Sequence, residues 1–578
     1  MKIRLLNDNY KDQYILNLLL GRGIDNFDDF MHPTEAFLES PEKLDHIHAA
    51  AQRYIFAMEH KENVFLIADS DVDGMTSAAI LYNYTKRIWP DNDIDWVYHE
   101  HKEHGLSDQI DYLENCDTNY TLVMTPDSGT NDVECHQRLA AIGADIIILD
   151  HHEYEGKGIG RNVYCVNNQI SPNYENKALS GAGVTWQFCR EIDSILGTNQ
   201  ADSLIDLVAL GCCADVMSPL TYENRYIFTY GFSHIRNDFF QTLIEKQAFS
   251  MKGKINYTTV AFYIAPLLNA CVRTGTMEEK QHMYEAFIHP HRLIETKKRG
   301  HKPGEMEELC IESARELTNI KARQKKMIDQ YESILKYRVE SEGLNENKII
   351  LIKLEDHDDF SPELNGLIAM KLAAAYKKPV LIGRDNPIEG VTKGSLRNCE
   401  GSPIVSLKDF VATYSNTTFV AGHAQASGWG IKTSCLDDFI NWANAELANV
   451  DFGESYIDVN FERPWYADDL PQLIAAIAEC NDIWGGDLKT PKVYIHDLYL
   501  KPSDIQVMGK SQDTIKFECN SVECIKFFAK DFIQDLQKNV PCRINFVGEA
   551  SVNEWMGSTT YQIIISDYEL IKDNIYQF

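Results

Sequence analysis

"LIADSDVDGMTS", residues 66–77, sets Asp69, Asp71 and Asp73 at alternate positions behind an apolar run and follows them with Gly74. Three carboxylates this close repel one another unless a cation lies among them, so the stretch calls for a metal ion. From Asp69 its first six positions match a calcium loop of the form D-x-[DN]-x-[DN]-G-x5-E. Position twelve of that loop must supply a bidentate glutamate, and here it is Ile80. The preceding "VFLIA" (64–68) also reads as a buried strand rather than an amphipathic helix. The calcium loop fails on both counts. What remains is a catalytic divalent-metal site at the carboxyl end of a β-strand.

Outward from this stretch, strand-like and helix-like segments alternate. A helical pattern covers about 40–60; "VFLIAD" is followed by helical "TSAAILYNYTKRI", "YTLVMTPD" by "NDVECHQRLAAIG", and "ADIIILDHH" by a loop. Such alternation predicts an α/β fold with a doubly wound parallel sheet. Residues 236–345 read as a charged helical connector ending in the long helix "ELTNIKARQKKMIDQYESILKYR". A second α/β unit runs from "KIILIKLED" through "NGLIAMKLAAAY" and "PVLIG" to about residue 435. After a helical linker, "KVYIHDLYL", "TIKFEC", "CRINFVGEA" and "TTYQIIISD" are short, evenly spaced strands, the pattern of a small OB-like β-barrel. The division expected is therefore 1–235, 236–345, 346–435 and 436–578. Every candidate metal ligand precedes residue 220, so a deletion from about 450 onward should spare the chemistry.

The 578 residues, 44% hydrophobic and 24% charged, describe a core-forming protein of about three or four domains. Asn7, Asp8, Asp12 and Gln13 interrupt any signal-peptide core, and no run approaches the roughly 20 apolar residues of a membrane span. Fourteen cysteines without a CxxC pair indicate neither a zinc module nor a disulfide framework, and suit a cytoplasmic protein. The formal net charge of -31 disfavours a broad nucleic-acid surface, but the charge is uneven. Residues 292–302 carry five basic side chains against one acidic, and 321–338 carry six against two. On charge alone, solvated helix faces are the plainer reading of such runs, and any grip on phosphate is expected to be local.

In open parallel sheets, ligands sit beyond the carboxyl ends of the strands. Three strands end there in metal-type side chains: Asp69, Asp71 and Asp73; Asp127 in "TPDSG"; and Asp150, His151 and His152. Asp215, in "LVALGCCADV", follows a helical run and can close the same site. Hard oxygen donors with one or two imidazoles suit Mn²⁺ or Mg²⁺. Two such ions sharing a bridging carboxylate can activate water and hold a phosphoryl group for in-line attack. Taken singly, a strand-end Asp is often a helix cap and a lone His a satisfied core residue. Four such features in order point to one site.

"DSDVDG", "PDSG", "DHHE" and "ALGCCADV", in this order, resemble the DHH phosphoesterase superfamily. "PLLNACVR" (266–273), "KGSLRNCEG" (393–401), "AGHAQASG" (421–428) and "INFVGEASVNEWMGSTTYQIIISD" narrow the resemblance to RecJ-like single-strand-specific exonucleases. The basic "KKRGHKPGEMEELC" segment is similar to what bacteriophage-encoded and some bacterial relatives carry. The resemblance implies hydrolysis of single-stranded DNA from the 5′ end by two ions of Mn²⁺ or Mg²⁺, in repair, recombination or replication. It makes Asp71, Asp73, Asp127, His151 and Asp215 metal ligands with Asp127 the bridge, and Asp69 a ligand or close neighbour. His152 would contact the scissile phosphate, Asp150 would orient the histidines, and Arg273 would steady phosphate charge. Gly394, Ser395 and Arg397 match a pocket for a 5′-terminal phosphate, and His423 matches the histidine of a GGH motif. Phe517, Phe527, Phe528 and Trp555 of the barrel are candidate stacking platforms, with barrel core as the plainer reading. The resemblance implies a monomer in bacterial or phage-infected cytosol, with a single-strand-binding protein or helicase as partner.

Two departures stand out. The family's GSGRS reads Gly394-Ser395-Leu396-Arg397-Asn398, and GGHxxAAG has Ala421 and Ser427 in place of a glycine and an alanine. Both bear on 5′-end recognition and leave the metal site untouched. A small-substrate phosphohydrolase of the same superfamily is the rival reading, but such proteins usually lack a third, β-rich domain. A non-catalytic replication scaffold is the other, and it would have lost metal ligands that this chain retains.

Overall fold

The computed structural model describes residues 1–6, 13–99, 105–355, 358, 360–452, 456–539, 541–555 and 558–571. Their contacts divide the chain into two compact units, one of 12–321 with 476–490, the other of 1–11, 322–475 and 491–578.

The first unit is built on five parallel strands, β1 (Val64–Ala68), β2 (Asp95–Tyr98), β3 (Leu122–Pro126), β4 (Asp145–Asp150) and β5 (Val163–Asn167), in the order β2-β1-β3-β4-β5. β1 and β3 are buried along their whole length, which is why they read as largely apolar runs, broken only by Thr125, rather than as alternation. Edge strands β2 and β5 had no such signal: β2 is four residues long and half exposed. Chain direction across the sheet reverses between β1 and β3, the place where such folds bind ligands. Helix α1 (Ile47–Glu59) precedes β1; α2 (Val72–Ile88) follows it and packs on α3 (Gly181–Leu196) and α4 (Ile205–Ala214). Met75, Ala78, Ala79 and Leu81 of α2 are completely buried, so α2 lies inside the core rather than on its surface.

The expected helical connector is present in Asp238–Met251, Ala265–Thr274, Met277–Ile288 and the long Leu309–Ser341, with one addition. Leu293–Glu295 and Met306–Glu308 form a two-stranded hairpin, and its loop carries Lys297, Lys298, Arg299 and Lys302. The basic run is thus a hairpin loop, not a helix face.

In the second unit, Ile350–Leu354, Val380–Asn386, Val391–Arg397, Ala426–Lys432 and Thr417–His423 form a mixed sheet in that spatial order. Its core extends past 435, because Phe439 and Ala443 of helix Leu436–Glu446 are buried in it. Lys2–Leu5 pairs in parallel with Tyr456–Val459 and so belongs here, not to the lead-in of the first unit. A seven-stranded sheet follows, ordered from Phe461–Pro464 through Lys492–Leu500, Cys542–Trp555, Ser558–Ile571, Val522–Lys526 and Thr514–Cys519 to Gln506–Met508. Phe517 is buried there edge-on to Phe546, whereas Phe527 and Phe528 are 50% and 90% exposed. The Trp555 backbone pairs with Ser558, and its side chain lies outside the described residues. No described helix is long and apolar enough to cross a membrane.

Residues 476–490 upset the expected modularity. Ile483, Trp484 and Leu488 are buried in the first unit, Thr258 Oγ1 donates to the Trp484 carbonyl at 2.7 Å, and Arg22 Nη1 donates to the Lys489 carbonyl at 2.8 Å. Buried Arg225 donates to the carbonyls of Phe30 and Asp482. Deletion from residue 450 therefore strips a core tryptophan from the unit that holds the metal-type ligands, a change typically costing about 3–5 kcal/mol even as a single truncation to alanine. The truncated chain is expected to melt well below full length and to lose activity on oligonucleotides of every length. An active truncation with an unchanged melting temperature would show the segment to be dispensable.

Candidate metal centre

The predicted ligands converge beyond the carboxyl ends of β1, β3 and β4. Asp71 is the N-cap of α2, its Oδ1 accepting from the Gly74 N–H at 3.0 Å. Gly74 cannot carry a side chain, since a Cβ there would lie 2.4 Å from Asp69 Cβ. Buried Asp73 faces the start of α3: its Oδ2 accepts from Gly181 N–H at 2.8 Å, and its Oδ1 from Ser180 Oγ at 2.8 Å and Ala182 N–H at 3.2 Å. A helix N-terminus favours such a negative charge. Asp127 follows β3 with φ +70°, a left-handed conformation that Asp tolerates better than most residues. A Cβ on Gly181 would sit 2.4 Å from Asp127 Oδ1, so glycine is required for the approach. Asp215 caps the C-terminus of α4.

These side chains form three overlapping groups whose donor atoms lie within 4.8 Å of one another: Asp69, Asp71 and Asp127; Asp73, His151 and Asp215; and Asp127, His151 and His152. His151 Nε2 lies 3.2 Å from Asp127 Oδ1, 3.6 Å from Asp215 Oδ2 and 3.8 Å from Asp73 Oδ2. Asp127 and His151 thus join the groups into one cluster.

The electrostatics fit a cation. Burial, reinforced by the Asp73, Asp71 and Asp69 charges, pushes the Asp127 carboxyl well above its ordinary value, and burial raises Asp73 as well. Asp127 Oδ1 is buried and has no hydrogen-bond partner among the described residues. A buried oxygen of this kind is costly unless something coordinates it. Burial holds His151 below its ordinary value against the pull of Asp73, leaving the neutral imidazole a ligand requires. Burial pushes the nearby Cys212 thiol up to about 12, so no thiolate competes and the donors are hard oxygens with imidazole.

His152 is built differently. Its Nδ1 is 2.8 Å from Asp150 Oδ1, which also accepts from the backbone N–H groups of His151 at 2.7 Å and His152 at 3.2 Å. Burial works against charge on both partners, but their bond outweighs it, lifting His152 to about 9 and holding Asp150 below the usual carboxylate range. His152 is half-exposed and cationic at neutral pH, suited to a phosphate oxygen rather than to a metal. Asn167 Nδ2 donates to the His152 carbonyl at 2.9 Å and to Thr130 Oγ1 at 3.0 Å, while Thr130 N–H donates to Asp150 at 3.1 Å. Arg273 sits in the last turn of helix Ala265–Thr274.

Sequence reasoning missed this supporting shell. Ser180 and Gly181 start a helix with no recognised cap signal, and Asn167 ends an unpredicted strand. His99, just past β2, is completely buried, 3.9 Å from Asp69 Oδ1 and 3.5 Å from Asp108 Oδ2.

Residues 63–212 match the DHH family, N-terminal domain, and residues 468–567 match the RecJ OB domain. YorK of Bacillus subtilis strain 168, derived from prophage SPbeta and provisionally named a single-strand DNA-specific exonuclease, is 34% identical over 99% of each chain. The single-stranded-DNA-specific exonuclease RecJ of the same organism is 26% identical, over 96% of this chain and 67% of its own. The chain belongs to the RecJ-like branch of the DHH family. RecJ of Thermus thermophilus, solved in complex with Mn²⁺, shares the fold with a TM-score of 0.72 over 95% of this chain and 74% of that one, at 19% identity.

In this RecJ-like chain the residues matched to a 5′-phosphate pocket share one sheet. Arg397 pairs with Ala426, which pairs with His423; one row along, Ser395 pairs with Gly428, which pairs with Ala421. Directly paired residues point to the same face, so Arg397, Ser395 and His423 border a floor of Ala421, Ala426 and Gly428. Arg397 Nη1 donates to the Leu396 carbonyl at 2.7 Å. Of the departures from the family pattern, Ala421 lies in that floor and the others fall elsewhere. Leu396 and Ser427 are buried on the opposite face, and the Asn398 amide is bound to Ile404 O and Gln425 Oε1. Gly394 has a packing reason of its own: a Cβ there would lie 1.9 Å from the Ile382 carbonyl oxygen.

Proposed function

We propose that this protein is a metal-dependent exonuclease that hydrolyses single-stranded DNA from its 5′ end. The observation that carries the reading is the joining of two carboxylate-rich groups through the adjacent Asp127 and His151, the arrangement a pair of divalent ions needs. Asp69, Asp71 and Asp127 would hold one ion, and Asp73, His151 and Asp215, with Asp127 shared, the other. When bound, Mn²⁺ or Mg²⁺ lowers the pKa of water and neutralises charge building on the phosphate. The chain supplies the rest. The protonated His152 ring donates to a phosphate oxygen, Asp150 keeps that ring charged and oriented, and Arg273 adds a second cation. Ser180 and the first N–H groups of α3 hold Asp73 in place.

A single-strand substrate and a 5′ start are supported by the OB-domain match and by the face bearing Arg397, Ser395 and His423. A terminal phosphate carries roughly one more negative charge than an internal diester, which a fixed guanidinium distinguishes. Because Leu396 and Ser427 face the core, they do not weaken that face. With Mn²⁺, 5′- and 3′-labelled single strands should be shortened from the 5′ end while blunt duplex is spared and rates fall with salt. Arg397→Ala should slow 5′-phosphorylated strands by about tenfold or more relative to 5′-hydroxyl ones, as loss of a charged hydrogen bond would. Equal rates on duplex and single strand would remove the exonuclease reading; an unchanged phosphate preference would remove Arg397 alone.

A further inference from the structure

A cavity of about 270 Å³ opens at the C-terminal end of α4, lined by Ala214 and Val216 on either side of Asp215, by Tyr257, Phe262 and Asn269, and by Gly486. Three features give it a purpose that packing does not. First, Val216 occupies the position after the cap of α4 with φ +57°: its N–H donates to Cys213 O and the Met217 N–H to Cys212 O, a helix ending normally completed by glycine. A β-branched residue there is a true outlier, yet Val216 is 67% exposed, so burial does not account for it. Second, Phe262 is 72% exposed on a single π-helical turn, Val260–Ile264, a form of helix often found at functional sites. Third, Tyr257 is 5% exposed, and its hydroxyl has no hydrogen-bond partner among the described residues.

We propose that this cavity receives one nucleobase of the substrate strand, stacked on Phe262 and Val216 and met by the Tyr257 hydroxyl or the Asn269 amide. The proposal rests on the nuclease reading and adds a base-binding subsite to it. The volume lies just below the roughly 300–1,000 Å³ of pockets for drug-sized ligands, so it suits a single ring system rather than a whole nucleotide. Asp215 belongs to the Asp73–His151–Asp215 group, so a base held beside it belongs to a nucleotide adjoining the phosphate under attack. An aromatic platform is sequence-tolerant, because every base offers a π-face. The subsite would therefore seat the strand without selecting a sequence.

The test is a scan in which a single abasic residue is moved along a short 5′-phosphorylated strand, with kcat/KM measured in Mn²⁺ for wild type, Phe262→Ala and Val216→Gly. Wild type should show a loss of about tenfold, in the range of one stacked base, at one position near the cut and little elsewhere. Phe262→Ala should abolish that position's penalty while treating the other positions as wild type does. Val216→Gly should shrink the same penalty and raise the melting temperature, because it places glycine where the backbone favours it. Both sites are surface-exposed, so folding is checked by the melting curves themselves. A flat scan in wild type, or a penalty that survives both substitutions, overturns the subsite while the nuclease reading stands. No hydrolysis of the strand that retains every base overturns both.

Discussion

Asp127→Asn is expected to lower single-strand hydrolysis by about 1,000-fold or more, a loss equivalent to about 4 kcal/mol of transition-state stabilisation. Asp127 is the only carboxylate present in two of the three donor groups found among the described residues, and His151 Nε2 lies 3.2 Å from its Oδ1. Replacing it would impair both ion positions at once, whereas Asp71 or Asp215 belongs to a single group. Asparagine is the informative substitution because it tolerates φ near +70° and keeps the shape of the side chain. It also removes a charge that burial and four neighbouring aspartates disfavour. The metal-free variant should therefore melt no lower than metal-free wild type, and calorimetry alongside the rate compares the two directly. Retention of a tenth of the wild-type rate would end the bridging role.

Divalent metal is expected to raise the melting temperature of the catalytic unit, and by more at about pH 8 than at about pH 5. Asp73 and Asp127 hold protons more tightly in the folded chain than in the unfolded one, since burial raises both. Their contribution to metal-free stability is complete below the ordinary carboxylate value of about 3.9 and is lost as pH rises through the raised values. Asp150 acts in the opposite sense, but its contribution changes only below that ordinary value, outside the comparison. A cation restores what the rising pH removes and binds the deprotonated ligands more tightly. At a hundredfold excess over Kd each ion should add about 2.7 kcal/mol. Melting curves in EDTA and in Mn²⁺ across that range give the answer directly. A metal-induced shift that is flat with pH would place the ions away from Asp73 and Asp127.

Much of the centre was legible before any coordinates. Acidic side chains at the ends of apolar runs mark a parallel-sheet ligand edge, because strands buried on both faces must be apolar up to the residue where the chain emerges. β1, β3 and β4 carried that signature, and the cluster at their ends followed from it. Edge strand β2 did not, and with it went His99; nor did the cap of α3, where Ser180 and Gly181 meet Asp73 through contacts more than 100 residues apart.

Linear order misled most where the chain doubles back. Cuts near 235 and 435 treat neighbours in sequence as neighbours in space, but Lys2–Leu5 finds its strand partner at Tyr456–Val459, and Trp484 finds its core in the first unit. The sequence by itself determined the ligand types, their strand-end placement and the family, because these depend on local pattern and on residue chemistry. Only the tertiary structure decided that Asp127 and His151 are shared between donor groups, that Leu396 and Ser427 turn away from the Arg397 face, and that Val216 is held exposed in a glycine conformation. Each of these depends on which side of an element a residue occupies relative to another element far along the chain. Long-range packing sets that relation, and no local periodicity encodes it.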